Sequence, residues 1–231
     1  MMKAYEQAGV AMTCRGFDEY LCMFDLTEEQ LLQGSTLDIA AGGASFTAEA
    51  AARGCSATAV DPRYGKERAA WIAEARAEIE TSTGKLAALK DQFDWTYYGD
   101  LERHRECRLA SIEKFAAHCT GEQGRNCYVS GSLPDLPFVD DSFDRVLCSH
   151  FLFLYAAQFD VQFHLQSIAE MMRVSRQEVL IYPVQTLQME QYPHLEQVME
   201  EVRRFGGKSE LFKSTLPFIP GSEYGLKIKL L

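Results

Sequence analysis

The sequence lacks paired cysteine motifs, internal repeats and low-complexity tracts, and it carries no excess of positive charge. Its seven cysteines are scattered along 231 residues without a C-x-x-C pair, so we expect reduced, buried thiols rather than a disulfide framework. The histidines and cysteines between positions 104 and 127 match no familiar zinc spacing, so we expect no bound metal. A net charge of −10 disfavours a broad phosphate-binding surface, and we expect no nucleic-acid partner.

Long hydrophobic runs are also missing. No stretch is apolar for the length that crosses a bilayer, and the initial residues M-M-K-A-Y-E-Q-A-G-V-A-M contain no apolar signal-peptide core. We therefore expect a cytoplasmic protein that works away from membranes. With 47% hydrophobic and 24% charged residues, the composition is that of an ordinary globular protein.

Short apolar runs alternate with helical patterns along the chain. Strands are predicted at 37–41, 55–61, 126–130, 143–149 and 178–184, with helices at 46–53 and 164–174. Short connections between such elements indicate a mostly parallel α/β sheet. Two further strand-like runs, 209–218 and 224–231, are joined by I-P-G-S-E, which predicts an antiparallel C-terminal hairpin.

Two regions lie outside this alternation. Residues 1–33 predict an N-terminal helical cap, in which Phe17, Leu21 and Phe24 share one face. Residues 63–125 form an insertion between strands two and three that is longer than one crossover helix requires, with helices predicted at 66–79 and 109–118. We expect all 231 residues to form one domain.

Chemically useful residues follow the predicted strands. In open parallel sheets, ligands bind beyond the carboxyl ends of the strands. The first strand leads into L-D-I-A-A-G-G-A-S-F-T, the second ends in Asp61, and the third leads to G-S-L-P-D-L-P-F. The fourth strand ends in Ser149 and His150.

In this order, these motifs resemble those of the class I S-adenosylmethionine-dependent methyltransferases of the small-molecule type. The resemblance covers residues 34–61 and 126–184, including E-M-M-R-V before strand five, but not the insertion. It implies a single Rossmann-like methyltransferase fold, S-adenosyl-L-methionine as cofactor and a small-molecule acceptor. The cofactor-binding residues that it implies are Asp38, Ala40, Gly42, Asp61, Pro62, Ser132, Leu133 and Ser149.

Each residue has a role under this resemblance. Small residues in the first loop let the backbone approach a ligand, and Asp61 accepts hydrogen bonds from ribose hydroxyls. Asp38 orients the loop or meets the ligand's amino group. Two glycines of the family's loop are alanine here, Ala40 and Ala44, which we expect only where φ is negative. Ser132 replaces the usual acid after strand three.

His150 and Tyr155 are the catalytic candidates. Methyl transfer is an in-line displacement in which proximity and orientation supply much of the catalysis, so a base is needed only if the acceptor must lose a proton. His150 is the candidate base, and Tyr155 is a candidate hydrogen-bond donor to the acceptor. The alternative for His150 is a packed, hydrogen-bonded histidine that lines the cofactor site.

Two runs in the insertion are ambiguous. D-W-T-Y-Y-G-D, which includes Trp95, Tyr97 and Tyr98, is either a wall of the acceptor pocket or simply packing against the sheet. E-R-H-R-E-C-R, residues 102–108, predicts a solvated helix face rather than an anion site.

Two other functions stay open. A catalytically inactive, methyltransferase-like binding or scaffold protein would explain Ala40, Ala44 and Ser132. A nicotinamide dehydrogenase would require G-x-G-x-x-G, and A-A-G-G-A-S matches that motif less well than the methyltransferase loop.

Overall fold

A computed structural model describes residues 9–230 of the chain. They include a seven-stranded sheet with the spatial order β3-β2-β1-β4-β5-β7-β6. Its strands are β1 Ser35–Ile39, β2 Ser56–Val60, β3 Tyr128–Val129, β4 Phe143–Ser149, β5 Ser175–Tyr182, β6 Lys208–Lys213 and β7 Tyr224–Lys229. The first five strands pair in parallel, and β7 lies antiparallel between β5 and β6. The predicted parallel sheet with an antiparallel terminal hairpin is confirmed.

Helices cover the sheet, and four of the seven in the described chain begin at a side-chain cap. They are α1 Phe17–Phe24, α2 Glu28–Leu32, α3 Phe46–Ala52, α4 Arg68–Ala87, α5 Leu101–Thr120, α6 Val161–Val174 and α7 Leu195–Arg204. The side chain of Asp100 accepts a hydrogen bond from the first turn of α5, and Asp160 does the same for α6. None of the helices between residues 9 and 230 is long and apolar enough to span a membrane.

The predicted elements are present with shifted ends. β4 has the predicted bounds, whereas β3 shrinks to two residues and both insertion helices extend to 20 residues each. α7 was not predicted. The connection of the hairpin is longer than I-P-G-S-E, because residues 214–218 leave the strand to pack: Thr215 N donates to Cys22 O, and Leu216 is buried.

The predicted cap over residues 1–33 contains α1 and α2, and its residues 1–8 lie outside the described part of the chain. The insertion packs on the rest of the molecule rather than standing apart from it. Trp71 of α4 and Ile112 and Phe115 of α5 share a buried cluster with Met12 and Cys14 of the segment before α1. The insertion and the N-terminal segment therefore cover the same edge of the sheet.

Candidate active site

The loop between β1 and α3 turns through two left-handed positions. Ala40 and Gly42 both have φ of 54°, so the expectation that alanine at position 40 keeps a negative φ is wrong. The chain must turn sharply from the end of β1 into α3, and the left-handed conformation costs an alanine about 1–2 kcal/mol. At Gly42 a side chain would also come within 3.1 Å of Met12 Cγ.

Asp38, at the core of β1, is a buried acid. The hydroxyl of Tyr20 donates to its carboxyl group at 2.9 and 3.1 Å, and no cationic side chain between residues 9 and 230 forms an ion pair with it. Burial raises the pKa of Asp38 to about 8, which the Tyr20 hydrogen bond only partly offsets. The site therefore contains a carboxyl group without a cationic partner.

Asp61 follows β2 and is held by backbone donors. Its Oδ2 accepts from Gly42 N at 3.1 Å, its Oδ1 accepts from Arg63 N at 2.9 Å, and Arg63 Nη1 lies 3.8 Å from Oδ1. Burial raises the pKa of Asp61 despite these donors. Pro62 is exposed and begins a short 3₁₀ turn. The predicted juxtaposition of Asp61 with the first loop is therefore present.

Ser132 and Leu133 follow β3 in a tight turn. Asp135 N donates to Ser132 O at 3.1 Å, Ser132 is exposed, and Leu133 is buried in the main core cluster. Leu133 thus offers an apolar surface at this end of the sheet, while the Ser132 hydroxyl faces the outside.

The segment before α1 covers the loop. Arg63 Nη2 donates to Val10 O at 2.8 Å, Ala11 N donates to Tyr155 Oη at 2.8 Å, and Ser45 N donates to Arg15 O at 3.0 Å. Together these contacts hold residues 10–15 across the ends of β1 and β2. Sequence patterns did not reveal this cover, since the segment has no secondary structure.

The end of β4 bears both catalytic candidates. Ser149 Oγ lies 3.0 Å from His150 Nδ1, and His150 has a φ of 50°. Burial, together with the nearby Arg15 and Arg108, holds the pKa of His150 well below its ordinary value. The imidazole is therefore neutral at physiological pH and can accept a hydrogen bond or a proton.

His150 and Tyr155 line the same cavity, whose volume is ≈ 110 Å³. Its walls come from the segment 11–15, from α4 and α5, and from the loops that follow β4 and β5. None of the residues implied for cofactor binding lines it. The cavity is therefore separate from the contacts of Asp38, Gly42 and Asp61, and it meets the site at His150.

A buried polar cluster beside the cavity was not predicted. Arg108 Nη2 lies 2.7 Å from Glu19 Oε1, and Arg108 also bonds Tyr98 and His104. The prediction of a solvated face for 102–108 is therefore wrong at His104 and Arg108, which are both buried. Their i, i+4 spacing on one helix face was the available signal, but their burial comes from distant segments: Phe218 packs on His104, and Cys14 and Glu19 bond Arg108.

The D-W-T-Y-Y-G-D run does not line the cavity. Trp95 and Tyr98 pack against Phe218, while Phe93 and Phe218 rather than Trp95 or Tyr98 line the cavity. Packing is thus the role that the structure gives to the D-W-T-Y-Y-G-D run.

Within residues 9–230, no group of three or more His, Cys, Asp or Glu side chains is placed to hold a metal ion.

Comparisons with known proteins agree with this architecture. No protein-family model matches the sequence. An uncharacterized protein of Methanocaldococcus jannaschii is 28% identical over 216 residues, which cover 93% of this chain and 94% of the relative.

Solved structures show the same fold. Magnesium protoporphyrin IX methyltransferase of Synechocystis, with bound SAH, has a TM-score of 0.51 at 8% identity and covers 93% of this chain and 84% of its own. The 1,6-didemethyltoxoflavin-N1-methyltransferase of Burkholderia thailandensis has a TM-score of 0.50 at 14% identity and covers 88% and 76%. The chain therefore has the Rossmann-like fold of the class I methyltransferases, as predicted.

Proposed function

We propose that the protein transfers a methyl group from S-adenosyl-L-methionine to a small-molecule acceptor. One observation carries this proposal. Two buried carboxyl groups, Asp38 and Asp61, stand at the ends of neighbouring strands of a methyltransferase fold, and Asp38 has no cationic partner in the described chain. Fold alone would not assign an activity, but these residues supply the chemistry that the proposed cofactor requires.

The acceptor groups of the site match the cofactor. A sulfonium and an amino group are cations, and either would favour the ionised form of the buried Asp38 carboxyl group, which has no cationic partner in the described chain. Asp61 is fixed by the Gly42 and Arg63 amides, which leaves lone pairs on both oxygens for ribose hydroxyls. Leu133 provides apolar contact for a base, and Ala40, Pro62, Ser132 and Ser149 complete the proposed contacts.

The segment before α1 covers the loop between β1 and α3 and so restricts the access of a ligand to that loop. Residues 10–13 lie against Gly42 and are tied to Arg63, so a ligand that reaches the loop must displace them. The same observation favours a second candidate, an inactive methyltransferase-like binding or scaffold protein in which the chain itself satisfies the site. Ligand binding and turnover separate the two functions.

S-adenosyl-L-methionine, when bound, supplies an electrophilic methyl group. The chain's own contribution is to orient the acceptor in the cavity that His150 and Tyr155 line. Neutral His150 accepts a hydrogen bond from the acceptor nucleophile, and Ser149 Oγ holds its Nδ1. Tyr155 accepts a hydrogen bond from Ala11 N and lines the same cavity. A base with so low a pKa gains little driving force at neutral pH, so we propose positioning as the main role of His150.

Calorimetric titration with S-adenosylhomocysteine tests the cofactor site. We expect micromolar binding to the wild type, loss of binding in Asp61→Asn, and wild-type binding in Asp91→Asn, where the acid is exposed. NAD is the control ligand, and tighter binding of NAD would favour a dehydrogenase instead. Absence of adenosylhomocysteine binding to the folded wild type would refute the cofactor.

A methyl-transfer assay distinguishes an enzyme from an inactive scaffold protein. Transfer of label from methyl-labelled S-adenosylmethionine to any member of a small-molecule panel would establish the enzyme. Binding without transfer across the panel would leave the scaffold function. A cytoplasmic location, a single domain of 231 residues and the absence of nucleic-acid and membrane partners stay predictions.

A further inference from the structure

Arg15 is a buried cation without a counterion. Arg15 is one of the residues that line the cavity, as His150 is, and only 8% of it is exposed. Its Nη1 is shielded from solvent and has no hydrogen-bond partner. No carboxylate of residues 9–230 forms an ion pair with its guanidinium. A buried charge in this state is costly unless a ligand completes it.

The neighbouring acid does not neutralise Arg15. Glu19 is used by Arg108, which donates to it from Nη1 at 3.0 Å and lies within 2.7 Å of it through Nη2. Arg108 also donates to Cys14 O and to Tyr98 Oη. One carboxylate thus faces two guanidinium groups, and the surplus positive charge lies on Arg15.

His104, which lines the same cavity, carries a second buried donor without a partner. Arg108 Nε donates to His104 Nε2 at 3.3 Å, and an arginine can only donate, so Nε2 is the acceptor and the proton of the neutral ring lies on Nδ1. His104 Nδ1 is buried and has no partner. Burial and the two arginines lower the pKa of His104 to about 2, so the ring stays neutral.

The rest of the wall is mainly apolar. It includes Ile79, Leu86 and Leu154. Glu78 also lines the cavity, but it is half-buried and forms no ion pair with Arg15. The cavity therefore combines an apolar body with the guanidinium groups of Arg15 and Arg108, the neutral ring of His104 and, at a half-buried position, the carboxylate of Glu78.

We propose that the cavity binds the methyl acceptor through a carboxylate, which pairs with the guanidinium of Arg15 and accepts a hydrogen bond from His104 Nδ1. The assignment of this ligand as the acceptor rests on the proposed function. His150 and Tyr155 line this cavity, whereas none of the residues implied for the cofactor does, so the carboxylate belongs to the acceptor rather than to the cofactor's amino-acid group. At ≈ 110 Å³, the cavity suits a small acid, since a cavity of about 150 Å³ holds benzene.

Matched acids and amides test the carboxylate site directly. Acetate, propionate and isobutyrate are titrated against acetamide, propionamide and isobutyramide by calorimetry. For the wild type we expect at least one acid to bind about tenfold more tightly than its amide, because a charge-assisted hydrogen bond in a buried site is strong. If no acid is preferred over its amide, the proposal is wrong.

Substitutions of Arg15 test whether this residue causes the preference for acids over amides. Arg15→Met keeps the length of the side chain but removes the charge, and it should abolish the preference for acids. Arg15→Lys should retain part of it. Arg76→Met is the control, because Arg76 is exposed and paired with Glu113, and it should behave like the wild type. Persistence of the preference in Arg15→Met would overturn the proposal.

The melting temperature provides an independent readout. Without ligand, Arg15→Met should be as stable as Arg76→Met or more so, since the substitution removes an uncompensated buried charge. A melting temperature below that of the control would identify Arg15 as a structural anchor, against the proposal.

A final pair of ligands tests whether Arg15 binds a carboxylate of the acceptor or the carboxylate of the cofactor's amino-acid group. S-adenosylhomocysteine carries an amino-acid group, and methylthioadenosine does not. Arg15→Met should leave the affinity for both unchanged, and a selective loss for adenosylhomocysteine would assign Arg15 to the cofactor and overturn the proposal. Failure of adenosylhomocysteine to bind the wild type would refute the proposed function alone, because the acid titrations need no cofactor.

Discussion

The hydroxyl of Tyr20 lies 2.9 Å from Oδ2 and 3.1 Å from Oδ1 of Asp38. A residue of the N-terminal helix α1 therefore bonds an acid in the middle of the sheet, and both side chains are buried. This bond joins the cap to the loop that we propose binds the cofactor, so cap and loop should respond together to mutation and to ligand.

Removal of the hydroxyl should destabilise the protein. We expect Tyr20→Phe to lower the free energy of unfolding by about 1–3 kcal/mol, because it leaves a buried carboxyl group without its donor. Urea unfolding measures the change. Tyr224→Phe is the control, since Tyr224 is 46% exposed, and it should change stability by no more than about 0.5 kcal/mol. Equal losses in the two variants would contradict the importance of the buried bond.

Asp38 should make stability depend on pH. Burial raises its folded-state pKa to about 8 from an ordinary value of 3.8, so between these values the folded state holds a proton that the unfolded state has released. The stability contributed by this group is therefore lost as pH rises from about 4 to 8, by at most about 1.4 kcal/mol per pH unit.

Asp38→Asn removes this dependence. Urea unfolding at pH 5.5, 7 and 8 should show that the free energy of unfolding of the variant increases relative to that of the wild type as pH rises. Parallel stability curves for the two proteins would show that Asp38 is ionised in the folded state throughout this range.

The buried pair of Glu19 and Arg108 should matter far more than an exposed pair. We expect Glu19→Gln to cost about 3–5 kcal/mol, because it leaves Arg108 in the interior without a counterion. Glu113→Gln breaks the exposed pair with Arg76 and should cost no more than about 1 kcal/mol. Guanidinium unfolding compares them, and similar costs would show that solvent reaches Glu19.

The left-handed Ala40 offers a stabilising substitution. Ala40→Gly should raise the free energy of unfolding by about 0.5–1 kcal/mol, because relief of the strained φ outweighs the added freedom of the unfolded chain. Ala44→Gly is the matched control in the same loop; Ala44 is buried and has no positive φ, so its replacement should destabilise the protein. Thermal unfolding of both variants checks the opposite signs.

Ligand binding should loosen the segment before α1. Hydrogen exchange of residues 10–13 should become faster when S-adenosylhomocysteine is added, since the bond from Ala11 N to Tyr155 Oη must break as the cover moves. Exchange in β6, which is remote from the site, serves as the internal control. Unchanged exchange at residues 10–13 in the bound protein would mean that the ligand enters beneath an intact cover.

The sequence by itself was sufficient for the sheet and for the residues at its carboxyl edge. The apolar run of β4 is buried along most of its length, so its bounds were predictable from hydrophobicity alone. The positions of Asp38, Gly42 and Asp61 followed from strand ends, because parallel strands bring their carboxyl ends to one edge. Patterns with a local period predict local faces in this way.

Only the tertiary structure decided which polar groups became buried. Arg108 Nη1 bonds Cys14 O, 94 positions away along the chain, and no periodicity in α5 indicates which distant segment will cover it. The same holds for Arg15, whose surroundings come from the insertion and from the ends of β4 and β5. Burial of a charge depends on contacts between elements that are distant in sequence. The cavity and its unpaired cation were therefore not predictable from local sequence patterns.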